Sequence, residues 1–193
     1  MRGIIGYGTY VPYYRLDRSK ITAAMGSGGG RGHRAVAAYD EDTTTMGVEA
    51  ARNALAGSSV TPSSIWFATA NPAYLDKTNA TAIQAALDLP QDTWAVDAGG
   101  SARSAEAAIL GASGTPGVSM AVVSDLRTGN PTSNDESSGG DAAAALIFGD
   151  DDDAPVLAHA LGRAASTGEF LDRYRLPGEG SSRIWEERFG DQA

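Results

Sequence analysis

The chain has no cysteine among its 193 residues. That excludes disulfides, thiolate-bound zinc and any thiol nucleophile. Aromatic residues are also scarce, at 7%, although hydrophobic residues make up 42% of the chain. Alanine is frequent and there are 24 glycines, so the expected core is one of closely packed elements with small residues between them. No stretch approaches the roughly 18 consecutive apolar residues that a membrane-spanning helix needs. The opening MRGIIGYGTYVPYY is broken at Gly6 and lacks the apolar run of a signal peptide. A cytoplasmic protein with no membrane partner is the expectation. Positive charge is in the minority: Lys+Arg number 15 against 24 Asp+Glu, a net charge of −9. An acidic surface repels phosphate backbones, so nucleic acid is not an expected partner. Any anionic ligand would need a local cluster of positive charge.

Strand-like and helix-like runs alternate. GIIGYGTYV (3–11) reads as a strand that Pro12 ends, 16–24 as a short helix led by Asp17, and GSGGGRG (26–32) as a flexible glycine loop. In DEDTTTMGVEAARNAL (40–55), Asp42 or Thr43 caps an amphipathic helix that gathers Met46, Ala50, Ala54 and Leu55 on one face. Residues 64–70 (SIWFATA), 94–98 (WAVDA) and 118–124 (VSMAVVS) read as buried strands, with helices over 78–88 and from Ser101 onward. A polar loop spans 125–140, an apolar strand follows over 141–149, and 150–153 (DDDD) is an exposed turn. Residues 155–162 are expected to form a strand paired with the preceding one. The alternation predicts an α/β fold with a mostly parallel sheet and right-handed crossovers. Residues 166–193 show no clear period and read as an irregular arm.

Several of these strings resemble the 3-hydroxy-3-methylglutaryl-CoA synthase branch of the thiolase superfamily. They are IIGYGTYVPYYRL, DEDTTTMGVEAARNAL, IWFATANPAYLDKTNATAIQAAL with Tyr74, Lys77 and Thr81, SGGDAAAALIFGD, and EFLDRYRLPGEGSSRIWEERFGD. Their order and spacing carry the likeness. The resemblance implies a thiolase-like half over 1–165, a mostly parallel five-stranded sheet layered with helices, and the start of an insertion between halves over 166–193. It implies a coenzyme A thioester as the candidate ligand, with no other cofactor required. It also implies a partner: a homo-oligomer or a complementary thiolase-like subunit, with an OB-fold protein as a further candidate.

That family's chemistry uses a cysteine at the start of the helix after the third strand, a glutamate after the second strand, and a histidine from the second half. The matching positions in this chain are Gly100 and Ala70, both vacated, which implies a non-catalytic subunit or scaffold. The alternative is an acyltransferase or retro-aldolase that uses non-cysteine chemistry. Ser101, Asp97 and Tyr74 are the polar residues considered for such a role, with Ser104 beside them. A helix dipole stabilises an anion by only about 0.3–2 kcal/mol and cannot ionise a serine hydroxyl without a general base. Neither His33 nor His159 is placed by sequence to serve Ser101, so Ser101 is expected to cap its helix. Asp97 more simply satisfies backbone donors at a turn. Arg31, Arg34 and Lys20 are the cations that could meet the CoA phosphates. An ion pair of Arg103 with Glu106 is expected on the helix, and no metal site.

Overall fold

A computed structural model describes residues 1–168 and 173–184. Its elements are β1 (Gly3–Tyr10), β2 (Tyr14–Asp17), α1 (Arg18–Met25), β3 (His33–Val36), α2 (Thr43–Leu55), β4 (Ser64–Thr69), α3 (Ala80–Ala86) and β5 (Trp94–Gly99). There follow α4 (Ser104–Gly114), β6 (Ser119–Asp125), α5 (Asn134–Ser138), β7 (Ala142–Gly149), β8 (Ala158–His159), β9 (Arg173–Tyr174) and β10 (Arg183–Ile184). Contacts group the chain into two units. One comprises Met1–Arg15, Ala35–Leu126 and Asp141–Ala160, and the other Leu16–Arg34, Arg127–Gly140 and Leu161–Ala193.

The first unit is built on a six-stranded sheet in the order β5-β4-β6-β7-β1-β8. β4 is parallel to β5 and to β6, while β7 runs antiparallel to both β6 and β1. Four of the six strands, β5, β4, β6 and β1, therefore point the same way, with β7 reversed among them. The mostly parallel five-stranded sheet is present, and β8 adds a two-residue edge. That edge departs from expectation: β8 pairs with β1, not with the preceding strand β7. The Asp150–Asp153 turn and the backbone bond from Leu157 N–H to the Ile4 carbonyl carry the chain past β7 to the far side of β1.

The sheet has two unlike faces because side chains alternate along each strand. Ile65, Phe67, Met120, Val122, Ala145 and Ile147 face α2 and α3 and form the larger core. Ala68, Ala121 and Phe148 face Ala108 and Ala112 of α4 in a smaller one. The closeness of α2 to the sheet follows from composition. A Cβ on Gly8 would meet the Ala54 nitrogen at 2.2 Å and the Ala50 carbonyl oxygen at 2.4 Å. Met46, Ala50, Ala51 and Ala54 are buried on the helix side, as the helical spacing predicts. The helix starts at an Asp42 capping box, in which the carboxylate accepts from Thr45 N–H and the Thr45 hydroxyl answers the Asp42 N–H.

α4 sits differently. It buries only Ser104, Ala108 and Ala112, four residues apart, and leaves Arg103, Glu106, Ala107 and Leu110 exposed. Its far end is held by Arg2, whose guanidinium donates to the carbonyls of Ala112, Ser113 and Gly117 and to the Ser119 hydroxyl. A cation against the last carbonyls of a helix also suits the helix dipole.

In the second unit, Asp17 caps α1 by accepting from Ser19 N–H, as read from the sequence. The segment expected to be loop over 125–140 contains the short helix α5, which Ser133 caps by accepting from Glu136 N–H. β9 and β10 pair as a small antiparallel ribbon within the expected irregular arm. Residues 169–172 and 185–193 of the arm lie outside the described residues.

Two outcomes test this packing. Gly8→Ala should cost about 1–3 kcal/mol by overpacking. Gly114→Ala, with nothing within 4 Å of the new Cβ, should be neutral or stabilising by up to about 1 kcal/mol. Urea unfolding of both variants measures the difference. The second outcome concerns Tyr10, whose hydroxyl donates to the Glu41 carboxylate. That bond, with burial second, pushes the Tyr10 pKa up to about 12 from 10.0. A raised folded-state pKa means that this stabilisation is full below pH 10 and is lost as the pH climbs to 12. Thermal melts across that window should show a steeper alkaline loss for the native chain than for Tyr10→Phe.

Candidate functional site

The carboxyl ends of β4, β5 and β6 lie side by side, and the turns after them hold every position singled out in this part of the chain. Ligands of parallel α/β sheets bind beyond such ends. Two of the turns are tightly organised. After β5 begins the approach to α4, and after β4 comes the 70–79 loop that leads into α3.

Asp97 belongs to the α3 side. Its carboxylate accepts from Asn79 N–H at 2.7 Å, from the Asn79 side-chain amide at 3.0 Å, and from Ala80 N–H at 2.7 Å. It thus supplies the anion at the start of α3 that Asn79 does not, since Asn79 makes no side-chain cap of its own. The turn-stabilising role expected for Asp97 is the observed one. Asn79 is 1% exposed. Its amide oxygen accepts from Tyr74 N–H and from the Thr44 hydroxyl, and its amide nitrogen donates to the Tyr74 carbonyl. One buried amide therefore fixes the loop on which Tyr74 stands. The Tyr74 ring is itself exposed, and the Lys77 ammonium lies 4.9 Å from its centroid.

The β5–α4 turn corrects the expected helix start at Ser101, the Ser101 cap and the Arg103–Glu106 ion pair. Gly100 is exposed, has nothing within 4 Å of a Cβ position, and adopts φ +109°. The helix begins at Ser104 rather than Ser101, after a turn in which Ser104 N–H donates to the Ser101 carbonyl. Ser101 does not cap the helix: its own N–H donates to the Ser104 hydroxyl, and the N-cap residue is Arg103, without a side-chain bond. Alanine-rich sequence continues helical periodicity backward through residues 102 and 103, and only the left-handed glycine sets where the chain turns. Arg103 and Glu106 are both exposed, and among the described residues no ion pair joins them. With Gly100 in the open, the argument against a thiol nucleophile rests on the cysteine-free sequence itself.

Ala70 follows the last residue of β4, and its N–H donates to an Asp125 carboxylate oxygen at 3.0 Å. The same oxygen accepts from the Thr69 hydroxyl at 3.3 Å. Asp125, at the end of β6, was not among the residues singled out from the sequence. The sequence reading ends the strand at 124 and puts Asp125 in the polar 125–140 loop, where nothing marks it; the structure carries β6 one residue further. Ala68 is paired with Val123, and both belong to the α4 face.

The three expected CoA-binding cations lie in the second unit. The segment Leu16–Arg34 carries Arg18, Lys20, Arg31 and Arg34 against a single acidic residue, Asp17. Lys20 and Arg31 are exposed. Arg34 is half-buried and donates to the Gly139 carbonyl at 2.6 Å. Arg18 donates to the carbonyls of Gly29 and Arg31, so it shapes the glycine loop from within. His33 and His159 are both exposed. Among the described residues no group of three or more His, Asp or Glu is placed to hold a metal ion, and no helix is long and apolar enough to cross a membrane.

Comparison with known proteins fits this arrangement. Hydroxymethylglutaryl-CoA synthase from Pyrococcus furiosus is 38% identical over 139 residues, which cover 67% of this chain and 39% of that protein. The chain belongs to the hydroxymethylglutaryl-CoA synthase-like branch of the thiolase superfamily. No family model matches it. Among solved structures, PksG, an HMG-CoA synthase from Bacillus subtilis, superposes with a TM-score of 0.78 at 19% identity, covering 96% of this chain and 48% of that one. MvaS in complex with 3-hydroxy-3-methylglutaryl coenzyme A gives 0.75 at 22% identity, with 95% and 48% covered. At such identities the structures speak for the fold alone. The synthase-like chain spans less than half the length of each of these relatives.

Gly100 and Asp97 can be tested together. Gly100→Ala should destabilise by about 1–3 kcal/mol through its left-handed φ, despite open space around it. Asp97→Ala should cost about 1–3 kcal/mol by leaving donors at the start of α3 unpaired. Equal stability of either variant in denaturant titration would contradict the assignment of that residue.

Proposed function

We propose that this chain is a non-catalytic subunit or scaffold of an acyl-CoA-processing complex, holding a CoA thioester without forming an acyl-enzyme. The observation that carries the reading is a thiolase-like fold in a chain without a cysteine. Lys20 and Arg31, exposed in the basic segment 16–34 of an otherwise acidic chain, are its candidate phosphate contacts, with Arg34 alongside. The similarity to MvaS, whose structure contains 3-hydroxy-3-methylglutaryl coenzyme A, supports a thioester of this class as the ligand. The partner is a second copy or a complementary thiolase-like subunit, with an OB-fold protein as the further candidate, and the setting is cytoplasmic.

A second reading, an enzyme of the same superfamily working by retro-aldol or acyl-transfer chemistry without cysteine, draws on one observation. A carboxylate, Asp125, stands beside the vacated Ala70 position.

Calorimetric titration with acetyl-CoA and incubation with radiolabelled acetyl-CoA test the first reading together. The native chain should bind, and Lys20→Ala with Arg31→Ala should weaken binding by about tenfold or more, the scale of one lost charge-assisted contact. No label should survive denaturation. A stoichiometric denaturation-stable label would contradict the non-covalent reading, and absence of binding would remove the thioester ligand.

A further inference from the structure

We infer that the 127–139 segment is a strap poised on the glycine loop 26–32, and that the two open and close as one element. Both belong to the second unit. The closed strap carries strain at one residue. Thr132 has φ +69°. A β-branched side chain in the left-handed region is an outlier, whereas Asp88, the other non-glycine with positive φ among the described residues, is of a type that tolerates it. Such strain persists only where the surroundings over-determine it, and it gathers at switch regions.

The contacts that hold Thr132 come from four directions. Its N–H donates to the Glu136 carboxylate, and Glu136 N–H donates in turn to the Ser133 hydroxyl at 3.2 Å. Arg34 closes the base of the strap by donating to the Gly139 carbonyl at 2.6 Å. From the arm, the Ser181 hydroxyl donates to the Asn130 amide oxygen at 2.7 Å. The fourth contact is the glycine loop. A Cβ on Gly28 would stand 2.6 Å from the Thr132 Cβ, so the loop backbone seats directly on the strained residue. Elsewhere the loop is pinned to α1. Arg18 donates to the carbonyls of Gly29 and Arg31, and the Thr22 hydroxyl accepts from Gly29 N–H. Relaxation of Thr132 to negative φ breaks its seat on Gly28 and leaves the loop held by α1 alone. Lys20 on α1 and Arg31 in the loop are the candidate phosphate contacts, so the state of the strap reaches them. For this ligand step alone the inference rests on the thioester reading. A ligand that prefers the closed loop closes the strap by the factor of its preference.

Amide hydrogen exchange followed by NMR reads the opening. Ser137 and Gly139 N–H, bonded to the carbonyls of Ser133 and Asp135, report on the strap, and Gly29 N–H reports on the loop. In the native chain the three should share one opening constant, larger than that of the α2 amides. Thr132→Asn removes the β-branch and suits the left-handed region, so it should raise the protection of all three by about tenfold. Ser181→Ala should lower it by about fivefold, the scale of one hydrogen bond. Saturating acetyl-CoA should raise it in the native chain. Strap amides as protected as those of α2 overturn the inference, and so does unchanged or lower protection in Thr132→Asn. A shift in the strap that Gly29 does not follow overturns the coupling. Calorimetric binding of acetyl-CoA that leaves all three amides unchanged overturns the ligand step. Coupled shifts in both variants together with no binding of acetyl-CoA uphold the strap and remove the thioester reading.

Discussion

The close seating of α2 on β1 is the constraint on which the rest of the molecule depends. Gly8 on the strand leaves no room for a Cβ against the Ala50 carbonyl and the Ala54 nitrogen. With few aromatics, the core cannot be filled by large side chains, so it is filled by bringing backbones together. Seating α2 this way packs Met46 among the largest fully buried side chains, which include Phe67, Ile65 and Met120. It also puts Thr43 and Thr44 at the ends of the parallel strands, where Thr43 donates to the Asn71 carbonyl and Thr44 to the Asn79 amide oxygen. Packing at one end of the helix thus sets the polar scaffold at the other.

That scaffold separates two sides of the strand ends. On the α3 side, Asp97 and Asn79 are consumed in holding the 70–79 loop, and their bonds account for all of the chemistry they show. Beyond β5 Gly100 is exposed, and at the ends of β4 and β6 the Asp125 carboxylate accepts from the Thr69 hydroxyl and Ala70 N–H. The two faces are also covered unequally. α2 and α3 cover one face of the sheet, while α4 covers the other with three small buried residues and turns Leu110, 45% exposed, away from it. β5 is the sheet's outermost strand, and Trp94 at its start is half-exposed against Trp66. A helix face and a strand edge left uncovered among the described residues are the kind of surface that proteins bury against another chain.

Much of this was legible in the sequence because it depends on periodicity and local chemistry. The 3.6-residue spacing of Met46, Ala50 and Ala54 located α2 and its buried face, and Asp17 and Asp42 marked where two helices begin. The resemblance to the synthase branch gave the fold. What was not legible depends on tertiary geometry. Alanine-rich sequence did not reveal that α4 starts at Ser104, since residues 101–103 have helical propensity but follow a glycine at φ +109°. The pairing of β8 with β1 depends on a turn that sequence cannot orient. Asp125 was invisible because its bonds run to Thr69 and Ala70, some 55 residues away in sequence at the end of β4.

The central claim is that a thiolase-like half of this kind works as part of an assembly, with the outer face of α4 covered. The most direct measurement is the mass of the purified chain by light scattering at micromolar concentration, alone and with a candidate thiolase-like or OB-fold subunit. The account predicts a stable mass of at least twice the 19.8 kDa chain, either for the chain alone or for the mixture. A monodisperse monomer that gains no mass with either candidate would contradict it.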